Sequence, residues 1–413
     1  MKRFLHAHAT HPQWRMALGL VATQIEAQRG TPGLVAEPTL GWIYFTDRYA
    51  SHGEAIFEAL RDRWPGVHWV GAVGVGIACN GVEYFDEPAL AVMLCDLPVT
   101  DFRVFSGAQP LAQGGVRGAG FDAATALIHA DPSTPDLSDL IAEMSDRTST
   151  GYLFGGLAAS RGEAWHVADG AFRGGLSGVA FGRDVALLSR VTQGCQPLGP
   201  TRRVTRAERN VVYELDGVPA LDCLLQDVDA RDADPRAAFA RLQRVLIGMA
   251  GGDEDLVSRP GQFGSDTRVR HLVGFDPQQR GVAVGDAVEL GLRVAFCSRD
   301  TEAARRDLTR ICTEIREELE PETWPREEAV TASTGRDDPG GRRPASILGA
   351  VYVSCSGRGG PHFGGPSAEM RIVQHALGDV PLVGFFAAGE IARHHLFGYT
   401  GVLTVFTDRF PGR

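Results

Sequence analysis

Two hydrophobic periods alternate along this chain, and the switch between them recurs. Residues 3–9 read as a short strand. Thr10-His11-Pro12 then opens a helix, with proline in its first turn and Trp14, Leu18, Val21 and Ile25 on one face. From there a unit repeats. In the first copy, 41–45 reads as a strand and 52–64 as an amphipathic helix with Ile56, Phe57 and Leu60 inward. A second strand, 67–71, runs into the small-residue loop Gly71-Ala-Val-Gly-Val-Gly76, and 89–94 closes the unit. The second copy has strand 125–129, helix 136–145, strand 152–154, the loop Gly155-Gly-Leu-Ala-Ala-Ser160 and closing strand 176–181. The third has strand 347–354, helix 367–377 and strand 382–384.

The third copy continues into the chain's most informative stretch. An apolar run from 380 enters a patch of small residues, meets one carboxylate, Glu390, and leaves through a second apolar run ending at 406. Such a run bounded by turn signals predicts a fully buried strand. Gly384 and Gly389 permit close approach to the backbone. Glu390 is therefore expected where a strand empties into a loop, a common position for a binding residue.

Between the second and third copies, 202–206 and 210–215 predict a hairpin turned at Ala207-Glu208-Arg209, followed by a helix through 227. Residues 245–249, 272–275 and 288–296 read as strands, and 301–320 as a helix with Arg and Glu at helical spacing. The segment at about 321–345 is polar and rich in Pro and Gly, and is expected to be a mobile loop. The fold expected is α/β (α+β mixed), with two related halves of mixed β-sheets covered by helices, built from repeated strand-helix-strand-loop-strand units. The boundary expected is near 195, giving domains 1–195 and 196–413.

Composition narrows the function. A length of 413 residues suits two domains, each able to bury a core. A net charge of −10 argues against a nucleic-acid partner, which would need a basic face. Lys2 is the only lysine, which excludes a P-loop or Schiff-base lysine in the body of the chain. The seven cysteines are scattered without a C-x-x-C pair, as expected of reduced thiols in a cytoplasmic protein. The N-terminus turns polar too soon for a signal peptide, and no apolar run is long enough to span a bilayer, so no membrane role is expected.

Gly384-Phe-Phe-x-x-Gly-Glu-Ile391, with Cys355-Ser-Gly-Arg-Gly359 about thirty residues earlier, resembles the FIST family. These are bacterial sensory proteins whose two-part module also occurs in eukaryotic F-box proteins. Asn210-Val-Val-Tyr-Glu-Leu-Asp-Gly-Val-Pro-Ala-Leu221 is similar to the opening of the family's C-terminal half. Phe154-Gly-Gly-Leu-Ala-Ala-Ser160 and Gly71-Ala-Val-Gly-Val-Gly76 are similar to glycine-led loops of its N-terminal half. The resemblance implies a sensor of small ligands, amino acids or similar metabolites, acting in signal transduction. No kinase, cyclase or F-box segment accompanies the motifs, so output is expected through a separate signalling protein such as a histidine kinase. One branch of the family is described as haem-containing nitric-oxide sensors, which makes haem the alternative to a cofactor-free protein.

Catalytic motifs are absent: there is no G-x-S-x-G, no H-E-x-x-H and no Walker A, and Gly71–Gly76 fails the G-x-G-x-x-G spacing. The chain therefore reads as a binding protein, not an enzyme. The residues nominated for the ligand are Cys355, Arg358, Gly389 and Glu390, with the backbone of Gly155 and Gly156. Arg358 beside Cys355 either lowers a reactive thiol's pKa, as a cysteine-dependent enzyme would require, or leaves an inert buried cysteine. The guanidinium suits a ligand carboxylate or an internal salt bridge. Glu390 reaches a cavity or caps its own loop. His6 and His8, alternate on a strand, could share a metal, but a solvated or hydrogen-bonded role is favoured. For haem, His394 and His395 are the candidate axial ligands.

Overall fold

The computed structural model describes residues 2–112, 121–229, 242, 244–251, 257–259, 262–263, 267–320 and 344–410. They fall into two compact units. One comprises Met1–Val191, Leu308–His395 and Gly401–Arg413, the other Thr192–Asp307 and Leu396–Thr400. The segment expected to be mobile, 321–345, lies outside the described residues except for its last two.

The first unit begins with β1 (Leu5–Thr10) and α1 (Trp14–Gln28). Pro12 lies just outside this helix, whose N-cap is Gln13, so the helix starts two residues later than the sequence pattern places it. Its buried stripe, Trp14, Ala17, Leu18, Val21, Ala22 and Ile25, covers β1 and the first copy's closing strand. Full burial of each large side chain contributes about 1.5–3 kcal/mol. The first copy is β2 (Leu40–Thr46), α2 (Gly53–Arg63), β3 (His68–Gly74), the hairpin β4 (Gly76–Cys79) and β5 (Val82–Phe85), and β6 (Ala89–Cys95). After β7 (Phe102–Phe105) the second copy follows: β8 (Ala123–Ala130), α3 (Leu137–Asp146), β9 (Tyr152–Leu157), the hairpin β10 (His166–Ala168) and β11 (Ala171–Phe172), and β12 (Leu176–Gly182). β13 (Leu187–Gln193) leads out.

The second unit holds β14 (Cys195–Pro197), β15 (Arg202–Glu208), β16 (Val211–Leu215), β17 (Val218–Pro219) and α4 (Ala220–Asp227). Next come β18 (Val245–Ala250), the small pair β19 (Val257–Arg259) and β20 (Gln262–Phe263), β21 (Arg268–Asp276), β22 (Gly281–Val284) and β23 (Arg293–Arg299). Val204, Val212, Leu224, Ile247, Val282 and Phe296 share its core. The strand expected at 288–296 opens only at Arg293, as β23, after an irregular stretch that includes Gly291 at φ +89°. α5 (Thr301–Leu319) then returns the chain to the first unit. There the third copy is β24 (Ile347–Cys355), α6 (Ala368–Leu377), β25 (Leu382–Ala387), the hairpin β26 (Glu390–Ala392) and β27 (His395–Phe397), and β28 (Thr400–Thr407).

Each copy builds the centre of a six-stranded sheet, and the three orders match: β1-β6-β2-β3-β10-β11, β7-β12-β8-β9-β26-β27 and β13-β28-β24-β25-β4-β5. The first and middle strands are parallel in every copy, and the closing strand returns antiparallel on the far side. The hairpin never stays home. β4 pairs with β25, β10 with β3, and β26 with β9, so the three copies exchange hairpins in a ring. This corrects the glycine-led loops of the sequence reading. Gly71–Gly74, Gly155–Leu157 and Glu390 are strand residues, and the chain turns briefly into the hairpin in the first and third copies. In the second copy the expected loop survives from Ala158 and runs on to residue 165.

Registration explains the glycines. Gly71, Gly155 and Gly384 sit opposite Ile43, Ile128 and Tyr352, at the same level of each parallel pair. A Cβ there would stand 1.8, 1.9 and 1.7 Å from the facing carbonyl oxygens. No side chain fits, which is why each middle strand carries glycine at this point.

Candidate functional site

The register brings four of the nominated residues together. Gly156 pairs with Glu390 and Gly155 with Ile391 across β9 and β26, and the Leu157 N–H donates to Gly389 O at 2.8 Å. Glu390 opens a strand and is fully buried, so it is a core carboxylate and not a loop residue. A Cβ on Gly156 would lie 2.7 Å from Val353 Cγ1, so the third sheet fills the space above that glycine.

Glu390, Gly156, His129 and Ser177 form one row across the second sheet. At the matching level of the first sheet stand Tyr44 and His166, opposite and next to Ala72. These rows meet. The Tyr44 hydroxyl is 3.0 Å from His129 Nε2, His166 Nδ1 is 2.6 Å from Ser177 Oγ, and Phe385 of the third sheet stacks on Tyr44 with centroids 5.1 Å apart. Burial, reinforced by nearby His166, pushes His129 down to about 3, so it is neutral at ordinary pH. Burial also lowers His166 and raises Tyr44. The sequence reading missed this polar centre. Only its register shows it, because Tyr44, His129 and Val353 hold equivalent positions in the three copies.

Cys355 and Arg358 belong to a different cluster. Cys355 is buried at the end of β24, and its carbonyl accepts the Arg358 N–H at 2.8 Å. Arg358 is buried too. Its Nε donates to Glu369 Oε1 at 3.1 Å, and its guanidinium lies over the Phe363 ring. Glu369 also accepts the Tyr352 hydroxyl at 2.7 Å and Ser354 Oγ at 3.0 Å. Of the two readings of Arg358, the geometry realises the internal salt bridge. Close by, Glu83 of the exchanged hairpin accepts the N–H groups of Gly360 and Met370. Burial, and then the Glu369 charge, raise the Glu83 pKa. Glu369 and Glu83 carry no sequence signal that singles them out.

His394 and His395 flank the tip of the β26–β27 hairpin, ring centroids 3.9 Å apart, with His394 exposed. An axial haem ligand stands in a slot that covers the macrocycle. An exposed ring at a hairpin tip, tilted at 51° against its neighbour, does not fit that role. His6 and His8 are part-buried on β1, and His8 Nδ1 is 2.6 Å from the Tyr84 hydroxyl. Burial lowers His6 to about 4. Among the described residues, no three His, Cys, Asp or Glu side chains are placed to hold a metal.

The first unit also contains a cleft of about 840 Å³ between the second sheet and the edge of the third. Its polar wall is a relay of hydroxyls. Tyr152 donates to Ser189 Oγ at 3.0 Å, and Ser189 Oγ is 2.8 Å from Thr404 Oγ1. Its apolar wall is Phe154, Val185, Leu187, Leu188 and Phe410, and Arg183 and Asp184 stand at its rim. That volume and mixed lining are typical of small-molecule sites.

Three six-stranded sheets thus exchange hairpins, and a mixed-lined cleft lies at one of their seams. The FIST N domain matches residues 39–218 and the FIST C domain residues 220–393. The chain belongs to the FIST family, whose domains are sensory. It is similar to the uncharacterized protein Rv0628c of Mycobacterium tuberculosis, at 29% identity over 431 residues, covering 97% of this chain and 98% of the relative. It is also 29% identical over 386 residues to the uncharacterized protein Mb0898c of Mycobacterium bovis, covering 89% of each. Among the described residues no helix is long and apolar enough to cross a membrane.

Proposed function

We propose that this chain is a cytoplasmic small-ligand sensor that holds an amino-acid-like or similar metabolite in the 840 Å³ cleft and signals through a separate protein such as a histidine kinase. The observation that carries this reading is the cleft itself, in a member of a family of sensory domains. Its hydroxyl relay offers both donors and acceptors, and the rim carries both charges in Asp184 and in Arg183, which is paired with Asp122 at 3.0 Å in an exposed ion pair. Gly155 and Gly156 continue the strand that supplies Tyr152 and Phe154, while Glu390 pairs with Gly156 and Gly389 O accepts the N–H of the next residue, Leu157. In this reading the glycines and Glu390 shape the wall, and the ligand contacts come from β9, β13 and β28. Cys355 and Arg358 hold the third sheet together.

Thermal unfolding of the purified protein against a panel of free amino acids and related metabolites tests this reading, alongside native mass spectrometry for a co-purified molecule. A bound small molecule, or a midpoint rise of several degrees with one class of compound, is the expected result. No bound molecule and no shift across the panel would sink it.

A further inference from the structure

The three-copy architecture makes three equivalent seams, each between the central strands of one sheet and the edge of the next. Two are plugged by a phenylalanine. Where the third sheet meets the first, Phe4, just ahead of β1, is buried against Gly349, where a Cβ would lie 2.2 Å from its ring. It also lies 5.4 Å from the Phe406 ring. Where the first sheet meets the second, Phe102 is buried on β7, edge-on to His68 at 5.5 Å.

These two phenylalanines are equivalent in register. Phe102 pairs with Phe181, and Phe4 precedes the Leu5–Leu94 pair, which sets it at the level of Cys95. Cys95, Phe181 and Phe406 hold one position in the three closing strands, since they face or stand level with Leu40, Thr125 and Gly349. At the third seam, the Thr407 N–H donates to Ala186 O, which sets Leu187 across from Phe406. Leu187 is only half-buried, and it lines the cleft. The partners match as well. Thr125 of the cleft is the counterpart of Gly349, and Tyr152 that of His68.

From this we infer that the cleft is a site for a small molecule carrying a flat aromatic ring and a neutral hydrogen-bonding group, the ring taking the place that Phe4 and Phe102 fill at the other two seams. The inference rests on the sensory reading above and narrows it. Phe154, Leu188 and Phe410 supply the apolar faces for a ring. The Tyr152–Ser189–Thr404 relay can exchange one of its hydrogen bonds for one to the ligand's polar edge.

The test uses phenol and indole as ring-bearing probes and glycerol and succinate as ring-free ones, read by saturation-transfer NMR on the whole protein. Phenol and indole are expected to bind, and glycerol and succinate are not. Leu187→Phe, which copies the plugged seams, should abolish binding of both rings while the unfolding midpoint stays level or rises. Tyr152→Phe keeps the ring of the wall and removes its hydroxyl, so the variant folds. It should weaken phenol about fivefold, the worth of one hydrogen bond, and leave toluene unchanged. Equal binding of ring-free probes, undiminished ring binding by Leu187→Phe, an equal effect of Tyr152→Phe on phenol and toluene, or no probe binding at all would each overturn the inference. The two proposals fail separately. A metabolite that stabilises the protein but survives Leu187→Phe leaves the sensory reading standing without this seam. Ring probes lost in Leu187→Phe, with no metabolite shifting the midpoint, do the reverse.

Discussion

Arg358 and Glu369 are both fully removed from water, and their pairing sets what a substitution there costs. Truncating one member strands a buried charge and costs about 3–5 kcal/mol, whereas replacing both by apolar residues can be nearly neutral. Arg358→Met should therefore lower the urea unfolding free energy by about that amount, with much of it restored in Arg358→Met/Glu369→Leu. Tyr352 and Ser354 lose an acceptor in the double variant, so recovery stays incomplete. A loss below about 1 kcal/mol in the single variant would mean the pair is solvated. The histidines give the pH dependence. His129 and His6 have folded pKa values of about 3 and about 4, below the unfolded 6.5, so the unfolded chain binds more protons between those limits. Their contribution is complete above pH 6.5 and is lost as pH falls, at about 1.4 kcal/mol per unit for each group. Glu83 is shifted upward and acts in the opposite direction, its stability present at low pH and lost as pH rises through its folded value. The unfolding midpoint should therefore fall between pH 6.5 and 5, and His6→Gln should flatten that slope. An unchanged slope in His6→Gln would show that this residue does not titrate on unfolding. Arg358 was visible in the sequence as a charge beside glycines. Its partner was not, because Glu369 is one acidic residue in the first turn of an ordinary helix.

Strands and helices were legible wherever apolar periodicity decides them. All three strand-helix-strand units fall within a few residues of their expected places, as do the 202–215 hairpin and α5. The exchanged hairpins were not legible. β4 takes its sheet partner from β25, some three hundred residues on, and nothing within Gly76–Cys79 encodes that pairing. The same non-local pairing turned most of the expected loop at Gly71–Gly76, and the Gly155–Leu157 half of the second, into strand, because a neighbouring copy supplies the missing ladder. Ala158–Ser160 is loop as expected. The repeated glycines therefore mark crowding, and that can be measured. Alanine at Gly71, Gly155 or Gly384 puts a Cβ within 2 Å of a facing carbonyl. Each should cost at least the ~1–3 kcal/mol of ordinary overpacking, with Gly155 worst because it also holds φ +138°. Gly19 is the control: it is exposed within α1, and a Cβ added there would meet nothing within 4 Å. Gly19→Ala should raise stability by about 0.5–1 kcal/mol in the same denaturant series. If the three core substitutions matched Gly19→Ala, close strand approach would not be the reason for the glycines.

At the scale of the whole molecule, the ring of exchanged hairpins makes the three copies depend on one another. In the second sheet β9 has β8 on one side and β26 of the third copy on the other. In the third sheet the hairpin of the first copy forms the edge opposite β13. A chain ending at residue 195 keeps two copies but loses β24 to β28. That removes the partner of β4, the partner of β9, and the Phe406 ring on which Phe4, Trp42 and Phe181 converge. An unpaired central strand exposes its backbone groups, and the large rings around Phe406 would lose their shared burial. The fragment 1–195 should therefore show no cooperative unfolding transition and should bind a hydrophobic dye, even though it contains most of a matched family domain. Co-expression with residues 308–413 should restore a transition, because that segment brings all the missing strands of the unit. The cleft should return with it, since Thr404 and Phe410 come from the same segment. Cooperative unfolding of 1–195 alone would show that two copies can close without the third. The exchange would then be a connection laid over independent domains, and the ring would not be what holds the fold.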